Sequence, residues 1–262
     1  MSEKENQINV SCVIITLNEA ENLADCLESV KWGNEIILLD SGSKDKTIEI
    51  AERFGAKIFK KELTGFGDQK RYAVSLASND WVLSIDADEI ASKKLNKSII
   101  KIFQESENLP AGFQIKRRLC FLGREFGYGR ESDEFLLRLF NKKFGNFNSA
   151  KVHESVELKG ETEKLQGILI HNSYKTLHQY FQKFNDYTTR AANELFEKGK
   201  KGRVVLTYFL FPFYFIKNYI LNRNFLNGKE GIIWAFFSSC YPIVKYSKLW
   251  KLNRDKNRSN QG

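Results

Sequence analysis

Cysteine, histidine and long uninterrupted apolar runs are all scarce in this chain, and each shortage closes off a class of protein. Four cysteines, Cys12, Cys26, Cys120 and Cys240, are scattered with no C-x-x-C and no histidine at ligand spacing. That excludes a disulfide framework and a zinc site and fits the reduced thiols of a cytoplasmic protein. The three histidines, His153, His171 and His178, do not make a zinc triad, and His171 and His178 read as structural. The thirteen uncharged residues from Val204 to Ile216 are broken by Pro212, well short of the about 20 apolar residues of a simple membrane crossing. The opening MSEKENQINV is polar where a secretory leader would be apolar. Gly65-Phe66-Gly67 does not open a G-x-G-x-x-G turn after a strand, and G-x-S-x-G is absent, so a dinucleotide dehydrogenase and a serine hydrolase are set aside. A sugar nucleotidyltransferase would place a glycine-rich, Arg-containing loop after its first strand, where this chain has TLNEAEN. No internal repeat is visible.

What is present is a globular composition, 42% hydrophobic and 13% aromatic over 262 residues, enough for one large α/β domain or a domain with an appendage. The net charge of +9 is unevenly spread: residues 198–262 hold thirteen Lys/Arg against Glu230 and Asp255, leaving about −2 on the first 197 residues. A tail that is both basic and aromatic suits an anionic membrane surface better than a nucleic acid, because electrostatic attraction adds to apolar insertion.

The first hundred residues alternate strand and helix signals. VSCVIIT (10–16), EIILLD (35–40), AKIF (56–59) and WVLSID (81–86) read as strands. Between them the segment carrying Leu23, Cys26, Leu27 and Val30, with Asn18 as its cap, then 44–54 and 67–77, read as helices. Such units predict a mostly parallel sheet flanked by helices, with ligands at the carboxyl ends of the strands. The polar motifs fall at those ends: Thr16-Leu17-Asn18-Glu19, Asp40-Ser41-Gly42-Ser43 and Asp86-Ala87-Asp88. Two carboxylates one residue apart past a strand end suit a divalent cation held against a diphosphate, since hard cations take oxygen ligands. Beyond residue 110, GFQIKRRLCFLG and EFLLRLF read as strands separated by a polar, glycine-rich loop (123–133). Residues 176–196 and 229–246 read as amphipathic helices, 204–216 as an in-plane or re-entrant helix or else as a stretch buried in a core or in a contact between copies, and the last dozen residues as unstructured.

The ordered set TLNEAENLADCLES, EIILLDSGSKDKT, GFGDQKRYAV and WVLSIDADE resembles the nucleotide-binding half of family 2 glycosyltransferases of the GT-A fold. GFQIKRR, the RLFNK run, Lys151-Val152-His153-Glu154 and HNSYKTLHQYFQKFNDYT extend the resemblance, over roughly residues 8–250, to bacterial lipopolysaccharide core glycosyltransferases of the β-glucosyltransferase type. The resemblance implies a nucleotide-sugar half (1–109), an acceptor half of the same domain (110–175) and a helical, membrane-associating region (176–262). In it, Thr16, Asn18, Glu19 and Asp40 hold uracil and ribose, Gly42 lets the backbone approach, and Ser43 belongs to the same turn. The alternative for Asp40 and Ser43 is a helix-capping turn before KDKTIEIA. Lys70 and Arg71 offset diphosphate charge, or are a solvated helix face. Asp86 touches ribose or metal, and Asp88 ligates Mg²⁺ or Mn²⁺. The base is Asp133 or Glu134, whose register before Arg-Leu-Phe is ambiguous by one, and His153-Glu154 lines the site. Arg138 holds a phosphate or acidic acceptor group, or pairs with the Glu131–Glu134 cluster.

The implied reaction is inverting, metal-dependent transfer of a hexose, glucose from UDP-glucose first, to a lipid-linked core oligosaccharide. The setting is peripheral, at the cytoplasmic face of the bacterial inner membrane, without nucleic acid and with a homo-oligomer as the other use of the apolar tail. Another donor or envelope glycan, or a non-catalytic membrane scaffold of the same fold, are the competing readings.

Overall fold

A computed structural model describes residues 8–106, 108–132, 134–150, 154–202 and 204–259. The chain divides into two compact units, residues 1–118 with 134–172, and residues 119–133 with 173–262.

The first unit begins with β1 (Ile8–Thr16), α1 (Leu23–Ser29), β2 (Gly33–Asp40), α2 (Thr47–Arg53), β3 (Lys57–Lys60), α3 (Phe66–Ser75) and β4 (Trp81–Asp86). It continues with β5 (Glu89–Ala91), α4 (Lys93–Glu105), β6 (Gly112–Phe121), β7 (Arg124–Glu125), β8 (Glu134–Asn141), β9 (Gly145–Phe147), β10 (Val156–Leu158) and β11 (Thr162–Tyr174), of which β7 and the ends of β6 and β11 belong to the second unit. The main sheet runs β3-β2-β1-β4-β8-β6-β11-β5, with β7 on the edge of β6. It is parallel from β3 to β4 and antiparallel where β8 joins β4 and β6 joins β8. The strands of the parallel half are apolar almost throughout because both faces are covered. Val10, Cys12, Ile14, Leu38, Leu83 and Ile85 pack with Leu23 and Leu27 of α1 and Leu95 and Ile99 of α4. Val13, Ile37, Leu39 and Val82 pack on the other side with Ala73 and Val74 of α3 and with Phe140 and Phe147.

Asn18 does not cap α1. The helix starts five residues later, after Asn22, and Asn18 sits at φ +56° as a loop corner, a conformation asparagine tolerates better than most side chains.

The second unit holds α5 (Leu177–Glu197), α6 (Val204–Phe209), α7 (Phe211–Ile216) and α8 (Gly228–Ser259). Its core is aromatic: Phe121, Phe126, Tyr180 and Trp234, with Tyr174, Phe184 and Phe237 against them. Edge-to-face contacts such as Phe121–Trp234, 5.2 Å between centroids, favour that packing. Thr176 caps α5 by accepting from Gln179 N at 3.2 Å. Contrary to the unstructured tail expected from polarity alone, α8 runs on to Ser259. The extension is supported by Arg254 over Trp250, Lys256 over Phe196, and Asn253 Nδ2 donating to Lys200 O, contacts in which long basic side chains lay their stems on aromatic surface. The 204–216 stretch forms two short helices rather than one, and among the described residues no helix is long and apolar enough to cross a membrane.

Candidate active site

The parallel registers place the motif residues side by side. Thr16 is opposite Asp40, and Asp86 is opposite Ile15, so three neighbouring strands end on these groups. The loops after β1 and β2 are stitched together: Asn18 N donates to Ser43 Oγ and Lys44 N donates to Asn18 Oδ1, each at 2.8 Å, and Glu19 N donates to Thr47 Oγ1 at 2.9 Å. Asp40 is buried and accepts from Gly42 N at 2.9 Å, Ser43 N at 3.0 Å and Ser43 Oγ at 2.5 Å. Its turn is therefore internal to the loop. The N-cap position of α2 is Lys46, without a side-chain cap; the side chain that bonds the first helical N–H is that of Asp45, which accepts from Thr47 N at 3.0 Å, and not that of Asp40 or Ser43. Gly42 has φ +100°, which explains glycine at this corner. Thr16 Oγ1 is buried at the strand end without a hydrogen-bond partner among the described residues, the condition of a hydroxyl that awaits a ligand.

Beside these strand ends lies a chain of alternating charges. Lys70 on α3 is 3% exposed, with its Nζ 2.8 Å from both Asp86 Oδ1 and Glu154 Oε1. Arg138 on β8 reaches Asp86 Oδ2 at 2.9 Å and Glu89 Oε1 at 3.3 Å. Glu89, fully buried, also accepts from Asp86 N at 3.0 Å and lies 3.7 Å from Arg117, which pairs with Glu134 at 2.6 Å. Burial by itself would raise the Asp86 carboxyl, but Arg138 first and Lys70 next hold it well below the usual carboxylate range. Lys70 is thus no solvated face, and Arg138 pairs with Asp86 and Glu89 rather than with the Glu131–Glu134 cluster.

His171 lies beside the Asp86-Ala87-Asp88 turn. The antiparallel pairing of β11 with β5 sets His171 opposite Glu89, and Asn172 N donates to Asp88 O at 2.8 Å. His171 Nε2 then lies 3.3 Å from Asp88 Oδ2. Burial, the largest single influence, lowers the imidazole pKa, but the charge and hydrogen bond of Asp88 together with the charge of Glu89 leave it raised. Glu89, Arg117 and His171 were missed by sequence reasoning. Glu89 could have been noticed as the third acid of Asp-Ala-Asp-Glu, but His171 and Arg117 reach the site only through strand pairing.

Arg71 parts company with Lys70. It is exposed, donates to Ser149 Oγ at 3.3 Å, and borders an open groove of about 440 Å³ with Lys61, Asp68, Tyr72 and Asn146. Glu134 opens β8, with Arg117 as its partner. Asp133 and His153 lie outside the described residues, and His178 is exposed on α5.

The donor set fits a divalent ion of the Mg²⁺ or Mn²⁺ kind. Among the described residues no three His, Cys, Asp or Glu side chains close round one point. Such ions need no full protein cage, taking one or two side chains and completing their shell with phosphate oxygens and water. Asp86 and Asp88 are the carboxylates that would meet such an ion: Asp86 faces Lys70 and Arg138 and Asp88 faces His171, and His171 would join as a ligand in its neutral form, giving up its proton as the metal binds.

The model of the glycosyl transferase family 2 matches residues 11–152. A glycosyltransferase of Rickettsia felis is 33% identical over 263 residues, spanning 95% of this chain and 91% of its own length. The lipopolysaccharide core biosynthesis glycosyltransferase LpsC of Rhizobium meliloti is 29% identical over 263 residues, spanning 97% and 96%. Among solved structures, glucosyl-3-phosphoglycerate synthase from Mycobacterium tuberculosis, in complex with Mn²⁺, UDP and glucosyl-3-phosphoglycerate, is 23% identical over 45% of this chain and 46% of its own, with a TM-score of 0.35.

Proposed function

The chain belongs to glycosyl transferase family 2, and on that footing we propose that it transfers a hexose, glucose from UDP-glucose, with inversion to a lipid-linked oligosaccharide of the lipopolysaccharide core type. The observation that carries this reading is the convergence of Thr16, Asp40, Asp86 and Asp88 with His171 at the carboxyl end of one parallel sheet. Near-full-length similarity to LpsC supports the class of acceptor.

Asp40 and Thr16 receive the nucleoside, as acceptor groups suited to a base N–H or sugar hydroxyl. Lys70 and Arg138 fix Asp86 in its ionised form and orientation. Asp88, with neutral His171, would hold the Mg²⁺ or Mn²⁺, and the ion would supply positive charge beside the departing diphosphate. An acceptor hydroxyl oxygen bonds to the anomeric carbon as the bond from that carbon to the diphosphate oxygen breaks. Its proton passes to a carboxylate, that of Glu134 at the start of β8 or of its neighbour in sequence, Asp133. Glu134 meets Arg117 at 2.6 Å, so its use as a base requires that pair to open.

Purified enzyme incubated with a panel of UDP-hexoses and Mn²⁺ or Mg²⁺ is expected to release UDP, fastest from UDP-glucose. Pyrophosphate as the product, or release unaffected by EDTA, overturns the reading.

A further inference from the structure

Residues 204–226 are built inside out. Val205, Tyr208, Phe209, Phe213, Ile220 and Leu221 face solvent, with Val205 70%, Phe209 79% and Leu221 68% exposed. The groups turned inward are polar: Thr207 5%, Asn224 1%, Asn227 2% and, on the neighbouring α8, Ser239 0% exposed. Thr207 Oγ1 donates to Val204 O at 2.6 Å, and the others form a hydrogen-bonded seam with Asn218. Asn218 Nδ2 donates to Ser239 Oγ at 3.0 Å, Asn224 Nδ2 to Asn218 O at 2.9 Å, and Asn227 Nδ2 to Asn224 Oδ1 at 2.9 Å and to Tyr128 O at 2.8 Å. Ser239 Oγ donates back to Ala235 O at 2.6 Å. A water-facing segment of this composition would gain by turning its aromatics inward, since burial of a large apolar side chain is worth about 1.5–3 kcal/mol. The seam prevents that and fixes the apolar side outward, an arrangement stable where the surroundings are themselves apolar.

The charge of the segment selects the occupant. Lys198, Lys200, Lys201, Lys217, Arg223 and Lys229 are exposed, and no acid occurs between Glu197 and Glu230. Two copies meeting face to face would bring like charges together with nothing to offset them, which disfavours self-association. An anionic lipid surface offers both the hydrocarbon for Phe209 and Phe213 and the phosphates for the cations. No described helix is long and apolar enough to cross a bilayer, so contact with lipid here would be in the interface.

We propose that residues 204–226 form a docking surface that inserts its aromatic and aliphatic side chains into an anionic lipid monolayer, with Lys217, Arg223 and Lys229 reaching the headgroups. The proposal stands apart from the catalytic reading, and UDP binding in the absence of lipid tests that reading separately.

The test is co-sedimentation of the full chain with vesicles of phosphatidylglycerol and phosphatidylcholine in equal parts, against vesicles of phosphatidylcholine alone. Binding is expected to the first, to fall with added salt, and to weaken about tenfold or more in Phe209→Ser/Phe213→Ser. Lys217→Gln and Arg223→Gln should each weaken it about fivefold. If the double serine chain loses its far-UV helical signal, Val205→Ser/Leu221→Ser takes its place. Equal or absent binding to both vesicles overturns the proposal. So does a concentration-dependent dimer in sedimentation velocity that these same substitutions dissolve.

Discussion

Arg138 Nη2 lies 2.9 Å from Asp86 Oδ2, although the two are 52 positions apart and on adjacent antiparallel strands. The guanidinium, 5% exposed, also faces the fully buried Glu89. Removing one partner of a buried pair leaves an uncompensated charge, a loss of about 3–5 kcal/mol. Arg138→Met should therefore cost about that much in urea denaturation and drop turnover sharply, because Asp86 and Glu89 would repel. Arg138→Lys keeps the charge and should lose less. A loss under about 1 kcal/mol in the methionine variant would show that the pair adds little.

Asp88 and His171 should separate metal binding from nucleotide binding. In Asp88→Asn, kcat/KM for UDP release is expected to fall about a hundredfold or more, the scale of charge stabilisation that a bound ion provides. Calorimetry should find UDP affinity in EDTA close to wild type, with the gain on adding Mn²⁺ abolished. His171→Ala should weaken Mn²⁺ about tenfold and Mg²⁺ less, since imidazole suits the transition metal better. Wild-type Mn²⁺ dependence in both variants removes the assignment.

Glu35 gives the fold a defined acid sensitivity away from the site. Its carboxylate is almost buried and accepts from Lys57 Nζ at 2.6 Å, Ser78 N at 2.8 Å, Ser78 Oγ at 2.7 Å and Ser11 Oγ. Burial raises its pKa, but these hydrogen bonds prevail and bring it from 4.5 down to about 2. A depressed folded pKa means stability that is complete above 4.5 and is lost as the pH falls from there toward 2. Glu35→Gln should cost on the order of 2–3 kcal/mol at pH 7 and flatten the acid limb of the stability curve between pH 4.5 and 2. An unchanged acid limb would mean that other carboxylates set it.

The strands of the parallel half were legible because both faces of VSCVIIT and EIILLD are buried, which writes an apolar run into the sequence. Asp86 and Asp88 were legible because they are sequence neighbours at the end of such a run. The partners were not. Arg138, Glu89 and His171 meet these carboxylates through antiparallel registers that no local pattern encodes. Asn18 failed as a cap because its side chain serves a neighbouring loop, accepting from Lys44 N. The reach of α8 to Ser259 depends on Trp250 and Phe196 lying beneath Arg254 and Lys256, a contact invisible in a polar tail.

Two glycines of the site region should respond differently to alanine. At Gly42 an added Cβ meets nothing within 4 Å, and the cost comes from φ +100° alone, on the order of 1–2 kcal/mol. At Gly67, in the first turn of α3, a Cβ would sit 2.3 Å from Asn148 O and 2.7 Å from Ala150 O. These are backbone atoms that no rotamer change can move aside, and Gly67 N itself donates to Ala150 O at 3.1 Å. Gly67→Ala must therefore push residues 148–150 off α3, a few positions before Glu154 and its 2.8 Å pair with Lys70, itself on α3. Overpacking of this kind costs about 1–3 kcal/mol, so thermal stability alone will not distinguish the two variants. Activity will: Gly67→Ala should lower kcat through the altered setting of Lys70 and Asp86. Gly42→Ala should act on the KM for the UDP-sugar, because its corner borders Asp40 and Ser43. Equal changes in both constants for both variants would show that the two loops act as one element.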